Sequence, residues 1–478
     1  MASCLYFLRL AQCLLIAMAS ATSIESRATW PNGPFGTSGR WMTDATGTKV
    51  TYAGVNWPGS LDAMIPEGLQ YQSIENIVSK IKGLGMNAIR LTYAIEMIDQ
   101  YYDNGESDIT MQKTLTDALG QDDGMDVYNQ VVANNPSFGT YTTRLQVFDA
   151  VAEECAKQHI YVHLDNHVSK AGWCCSPLDG NSWWGDENFN VDNWTRGLSF
   201  MADHGKSWSN LMSMSLRNEL RIPLTDTQLA SSSYNWEDWY KYVQQGADAI
   251  HSANSDVLIF LSGLDSDKNL APVVDGTALT PGSGTFNRDD FDGYGDKLVL
   301  ELHSYDNILG TPSSNCSETE EGLFDDGFLA LNDSATNQFP VVMTEFGFAQ
   351  NESLSEDPYA TCLLSFLPEE KAGWMIWTLS GSYYIREGTK DYDDQWGLLT
   401  HDWSGWKAPG FVNGTLAPAA KATLSDDGTT PEASDDDAAS GGSSGNGSSG
   451  EEGSAASLSQ NALNCALPVL ILLAVWAY

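Results

Sequence analysis

Leu211–Glu219 reads LMSMSLRNE, a short apolar run that stops at Asn218 and Glu219. Pro340–Phe346 reads PVVMTEF and has the same form, with Glu345 at its end. Each acid stands where a buried strand would leave the core. Runs of this length recur at Tyr52–Asn56, Ala88–Thr92, Tyr161–Leu164, Leu211–Leu216, Val257–Leu261, Leu298–Leu302, Val341–Thr344 and Trp374–Trp377. Such a set suits the strands of a closed barrel. Amphipathic stretches lie between most of them, at Ser73–Lys82, Tyr141–Lys157, Trp194–Trp208, Trp236–Ser252 and Gly322–Asn332. That alternation predicts parallel strands joined by crossover helices. The runs are continuously apolar, as a sheet covered on both faces requires. An α/β fold of the (β/α)8 TIM-barrel type is the economical reading, and an open doubly wound sheet is the alternative. Upstream, Gly39–Val55 carries two short segments around Asp44-Ala45-Thr46-Gly47, a hairpin suited to plugging the barrel bottom. Ile95–Phe138 reads as a long polar loop inserted on the opposite rim, expected to shape a cleft.

The chain has 478 residues and a formal net charge of −39, which argues against nucleic acid and other anionic partners. A neutral polysaccharide fits better, and the 16 tryptophans and 19 tyrosines suit it too, since flat aromatic faces stack on sugar rings, although much of that content must be ordinary core. Residues 1–21 contain an apolar run, interrupted by Arg9, and end in Ala19-Ser20-Ala21, the pattern of a secretory signal peptide. At the other end, Ala466–Tyr478 is apolar and follows a polar spacer and the small residues Gly453, Ser454 and Ala455. This predicts a removed glycosylphosphatidylinositol-anchor signal over residues 456–478, with a true tail anchor as the alternative. Residues 420–455, rich in Ser, Gly and Asp, are expected to form a flexible linker, leaving 22–419 as one catalytic barrel. Sequons begin at Asn193, Asn315, Asn332, Asn351, Asn413 and Asn446, in keeping with a secreted, extracellular cell-surface or cell-wall protein. Outside the end segments, Cys155, Cys174, Cys175, Cys316 and Cys362 remain. Two bridges and one leftover thiol are expected, Cys316 with Cys362 and, by elimination, Cys155 with Cys174 or Cys175.

Polar groups gather where the runs stop: Arg90; Asp165, Asn166 and His167; Asn218 and Glu219; His303 and Tyr305; Glu345; and Trp377. In such barrels the C-terminal rim carries the chemistry. The segments Ala53-Gly54-Val55-Asn56-Trp57, Asn218-Glu219, His303-Ser304-Tyr305 and Thr344-Glu345-Phe346-Gly347 resemble motifs of glycoside hydrolase family 5, the cellulase family of retaining endoglycosidases. The resemblance runs from Arg40 to Trp403 and suggests a secreted, fungal-type member with an anchor signal. It implies that Glu219 is the general acid/base and Glu345 the nucleophile, cleaving a β-linked glucan by double displacement. It further implies that Asn218 binds the sugar 2-hydroxyl, His303 tunes the acid, and His167 and Trp377 hold the sugar beside the scissile bond, with Trp374 competing for the stacking role. Arg90 and Tyr305 are expected to keep Glu345 ionised. Trp173, Trp183 and Trp184 are candidates for extending the cleft. Leu220 follows the Asn-Glu pair where many members have proline, which bears on loop rigidity. No cofactor and no metal are expected, since His163 and His167 lie on a strand and its exit rather than on a helix face. A monomer is expected, touching membrane only through a lipid anchor. β-Mannan, glycolipid glucosides and transglycosylation stay open within the same chemistry, as does an inactive wall-binding barrel from another class.

Overall fold

The computed structural model describes residues 30–305, 315–351 and 353–425. The expected signal peptide, the sequon at Asn446 and the anchor signal lie outside the described residues, as does the linker beyond Ser425.

Eight parallel strands close into a barrel, numbered here in chain order: β1 (Ala53–Trp57), β2 (Ala88–Ala94), β3 (Tyr161–Val168), β4 (Leu211–Ser215), β5 (Leu258–Ser262), β6 (Leu298–Ser304), β7 (Val341–Phe346) and β8 (Gly373–Ile376). Each pairs with its sequence neighbours, and β8 pairs with β1 to complete the ring. Every residue in these strands is buried, as the apolar runs foretold. Closure brings backbones together: a Cβ on Gly54 would lie 2.4 Å from the Ala88 carbonyl oxygen, so β1 tolerates only glycine there.

Helices cover the outside. Ile74–Gly83 starts at Ser73, whose side chain accepts from the Asn76 N–H. Arg144–Lys157 starts with a capping box between Thr143 and Gln146, which satisfies two otherwise orphaned amides. Val191–His204 and Trp236–Ala253 pack against each other, and the Trp194 and Trp239 ring N–H groups reach the Leu216 and Ser262 carbonyls at the ends of the strands.

The N-terminal segment forms a small antiparallel sheet of Gly36–Ser38, Trp41–Thr43 and Lys49–Val50, the last two being the expected hairpin. Phe35 and Met42 join Tyr52, Tyr161, Met212, Leu258, Phe260, Val299, Val342 and Met375 in one apolar cluster. These are inward residues from the strand starts, so the hairpin seals the barrel bottom.

Three expectations change. Ile95–Phe138 is not a polar loop but a set of helices, Ile95–Asp103, Met111–Leu119 and Gln121–Asn134. Its apolar residues, including Met111, Leu115 and Leu119, recur at helical spacing within a polar composition and are buried. Arg144, fully buried, ties this insertion down with an ion pair to Asp108 at 2.8 Å and hydrogen bonds to Gln100 and the Met97 carbonyl. The folded chain also runs past residue 419: the helix Ala417–Leu424 buries Ala419, Ala420 and Thr423, and Thr423 accepts the Trp374 ring N–H at 2.7 Å. Finally, Cys155 is a free, buried thiol, and the disulfide joins the adjacent Cys174 and Cys175. Elimination failed because it discounted a bridge between neighbours. Cys316 and Cys362 are bridged as expected. Among the described residues no helix is long and apolar enough to cross a membrane.

Candidate active site

Inside a barrel, alternate residues of a strand face inward. On β3 these are Tyr161, His163, Asp165 and His167, and on β6 they are Val299, Glu301 and His303, so polar groups rise in steps toward the C-terminal rim. Below the rim a hydrogen-bonded network crosses the interior. Tyr52 meets Ser213, which meets His163 Nδ1; His163 Nε2 meets Ser215, and Ser215 donates to Glu301 Oε2 at 2.7 Å. Thr344 donates to the same oxygen at 3.0 Å. Burial pushes the His163 imidazolium down to about 3, so that ring is neutral, and burial raises the Glu301 carboxyl.

Above this layer, Arg90 organises the rim. Its guanidinium is fully buried and donates to Asn56 Oδ1 at 2.9 Å, to Asn218 Oδ1 at 2.8 Å and to Glu345 Oε1, and it pairs with Asp165 Oδ1 at 3.1 Å. Burial alone would lower its pKa, but Asp165, then Glu345 and Glu301, outweigh burial and raise it. Asp165 likewise resists burial: Arg90 and His167 hold it down at about 2. Asp165 Oδ2 lies 2.7 Å from His167 Nδ1 and fixes that ring.

Glu345 reaches this array through a β-bulge. Register with β6 shifts between Met343 and Glu345, so that Glu345 stands beside His303. A bulge re-aims a side chain, and here it turns a second consecutive residue toward the barrel mouth after Thr344. The other Glu345 oxygen accepts the Tyr305 hydroxyl at 3.0 Å. Burial, then Glu345 and Glu219, push the Tyr305 phenol well up, so it keeps the proton it donates.

Glu219 lies just beyond β4 with φ +45°, a left-handed conformation that a glutamate adopts only when its surroundings impose it. Those surroundings are visible: its N–H donates to Asp267 Oδ2 at 2.8 Å and its carbonyl accepts from Arg221 at 2.8 Å. The Glu219 carboxylate lies 3.0 Å from His303 Nδ1. Burial raises the Glu219 pKa above its ordinary value, against the pull of Arg221, His167 and Arg90. Burial drives His303 down to about 3, so this ring is neutral, and its Nε2 lies 3.6 Å from Asp267. One oxygen of Glu219, one of Glu345 and a ring nitrogen of His303 all lie within 4.8 Å of one another.

Aromatic groups wall the site. Trp377, half-buried, lies parallel to His167 with ring centroids 5.5 Å apart, and Trp173 stands edge-on to it at 6.2 Å. Trp374 is in the core, so of the two tryptophans on this segment only Trp377 meets the cleft. Trp396 stands beside Tyr305 at 6.1 Å. Trp183 and Trp184 do not extend the cleft: both are fully buried and pack edge to face against each other.

The eight residues given a catalytic or sugar-binding role from the sequence, Arg90, His167, Asn218, Glu219, His303, Tyr305, Glu345 and Trp377, converge on this rim. Asn56, Asp267 and Glu301 were missed as parts of the site. Glu301 had a signal, a carboxylate inside the apolar run Leu298–Leu302, and Asn56 ends the first run. Asp267 had none, because a left-handed turn over Asp265, Ser266 and Asp267 brings it back to the rim.

A parallel (β/α)8 barrel with two carboxylates facing each other across its mouth, backed by an arginine and walled by aromatics, is the architecture of a glycoside hydrolase. The comparisons agree. Residues 43–382 match the family model described as cellulase (glycosyl hydrolase family 5). A glycosyl hydrolase 5 family protein of Chamaecyparis obtusa is 34% identical over 85% of this chain and 68% of its own length. An endoglucanase of Paenibacillus polymyxa is 23% identical over 81% of this chain and 88% of its own. Among solved structures, the catalytic domain of the major endoglucanase from Xanthomonas campestris superposes with a TM-score of 0.59 at 19% identity, covering 81% of this chain and 99% of that one. A cellotetraose complex of an endocellulase from Pyrococcus horikoshii gives 0.59 at 19%, over 82% and 100%. The chain belongs to glycosyl hydrolase family 5.

Proposed function

We propose that the protein is a retaining, endo-acting β-glycosidase that hydrolyses a β-linked glucan. The observation that carries this reading is the approach of Glu219 and Glu345 to within 4.8 Å. Retaining enzymes hold their carboxyl groups about 5–5.5 Å apart, whereas inverting ones leave about 6.5–9.5 Å for a water. The relatives support the glucan: they are named endoglucanase and endocellulase, and one is described with cellotetraose.

In the first step protonated Glu219 gives its proton to the glycosidic oxygen as that C–O bond breaks. A Glu345 oxygen bonds to the anomeric carbon, forming a glycosyl ester. Arg90 and Tyr305 donate to Glu345 and aim it. In the second step Glu219, now a carboxylate, takes a proton from water; the oxygen of that water attacks the same carbon and displaces Glu345. Neutral His303 adds no positive charge that would strip the proton from Glu219. The amide of Asn218 donates to the sugar 2-hydroxyl, and His167 and Trp377 bind that sugar. The stalk and anchor expected beyond the barrel would hold the enzyme at the cell surface.

A panel of β-glucans and aryl β-glycosides tests the reading. Hydrolysis is expected for wild type and should be abolished in Glu345→Ala, and proton NMR of the first product should show the β anomer. An α anomer, or equal rates in both proteins, would overturn it.

A further inference from the structure

The disulfide between Cys174 and Cys175 lies in the active site, and the mechanism above assigns it nothing. Both residues are only half-buried. Their sulfurs and a Glu219 carboxylate oxygen all lie within 4.8 Å of one another. Asn218 Nδ2 is 3.5 Å from Cys174 Sγ and 3.3 Å from Cys175 Sγ.

The orientation of that amide is not free. Arg90 is only a donor, so the Asn218 oxygen must face it, and at 2.8 Å it does. The NH2 group therefore points away from Arg90, and there it meets the two sulfurs. Sulfur is a weak acceptor. The amide is thus held in place by a partner that a sugar hydroxyl easily outcompetes.

The loop that carries the disulfide is anchored on both sides of it. Trp173 packs against Trp377 and Tyr383 and lies under the Arg386 guanidinium, 3.5 Å from its ring centroid. Ser176 offers its carbonyl to Arg221, which also holds the Glu219 carbonyl and pairs with Asp179 at 2.5 Å. A bridge between adjacent residues closes a small ring and leaves the sulfurs little room to move. Sequence neighbours are thereby turned into one rigid wall between the aromatic platform and the acid.

We propose that the Cys174–Cys175 disulfide is a positioning element that holds the Asn218 amide ready for the sugar 2-hydroxyl and walls the subsite at that carbon. This rests on the retaining-glycosidase reading given above. A hydrogen bond to the 2-hydroxyl strengthens in the transition state, so loosening the amide should lower kcat more than it moves KM.

The test replaces both cysteines, Cys174→Ser with Cys175→Ser, in wild type and in Asn218→Ala. Turnover is read on an aryl β-cellobioside and on its analogue lacking the 2-hydroxyl of the sugar next to the aryl group. On the intact substrate the cysteine pair should cost about tenfold in kcat, the worth of roughly one hydrogen bond. On the deoxy analogue, and in Asn218→Ala, the same change should cost less than about twofold. Equal losses with both substrates and in both backgrounds would mark the disulfide as merely structural, and no loss anywhere would also overturn the proposal. Cys316→Ala with Cys362→Ala, remote from Asn218, serves as the control for lost stability. If wild type turns over neither glycoside, the enzymatic reading fails separately. The disulfide is then judged by NMR of the Asn218 side-chain amide, where unchanged order of that NH2 group in the cysteine variant overturns its role.

Discussion

Two chemically identical side chains, Glu219 and Glu345, acquire different tasks from their neighbours. Glu345 receives Arg90 and Tyr305, both donors; Glu219, half-buried, faces a neutral imidazole, and desolvation raises its pKa. Replacing Glu219 with Gln should lower kcat/KM about 10²–10⁴-fold, most for glycosides with poor leaving groups. The wild-type rate should fall as pH rises through the elevated Glu219 pKa, because the acid form is then lost. The pH-rate profile of Glu219→Gln should lack that alkaline limb; an unchanged limb would place the titration elsewhere. Tyr305→Phe removes one hydrogen bond from Glu345 and should cost about tenfold in kcat, read by steady-state kinetics. Both acids were legible in the sequence because each ends an apolar run. Their division of labour was implied only by resemblance, since Arg90 and Glu345 are 255 residues apart.

At the scale of the elements, the strands bring more to the barrel than continuous apolar runs suggest. Glu301 sits mid-strand and buried, with its pKa raised by burial first. A carboxyl whose pKa is higher folded than unfolded contributes stability that is fully present below the ordinary value of about 4.3 and is lost as pH rises through the folded value. Glu301→Gln should therefore gain thermal stability relative to wild type as pH is raised from 5 to 8, measured by melting temperature. A difference independent of pH would mean that Glu301 is ionised throughout. The helical insertion makes a second prediction. Asp108→Ala leaves Arg144 buried without its ion pair, and should cost about 3–5 kcal/mol in chemical denaturation. The insertion read as loop because its helices are mostly polar; their sparse apolar residues gain meaning only against the barrel they cover.

Over the whole molecule, the fold closes upon itself at both ends. The N-terminal hairpin seals the bottom, and the helix Ala417–Leu424 covers the outside, where Trp374 of β8 binds Thr423. A chain ending at Ser425 should melt within a degree or two of full length and keep its activity. One ending at Leu416 exposes Trp374 and loses the buried Ala419 and Ala420, and should be destabilised by about 2–4 kcal/mol. Calorimetry of the two truncations distinguishes these outcomes. The sequon asparagines Asn315, Asn332, Asn351 and Asn413 are exposed, whereas Asn193 is half-buried, with its amide donating to Asp99 at 3.0 Å.

The sequence by itself determined the eight strands, their parallel order and the polar residues at their exits. These are local properties: a strand buried on both faces must be apolar along its length, and a charge can appear only where it emerges. Tertiary structure alone decided who meets whom across the mouth. The bulge that turns Glu345 inward, the return of Asp267 to Glu219, the burial of Trp183 and Trp184, and the pairing of Cys174 with Cys175 beside Asn218 all depend on register and closure. Those are set by how eight strands fit around one axis, a constraint that no segment carries alone.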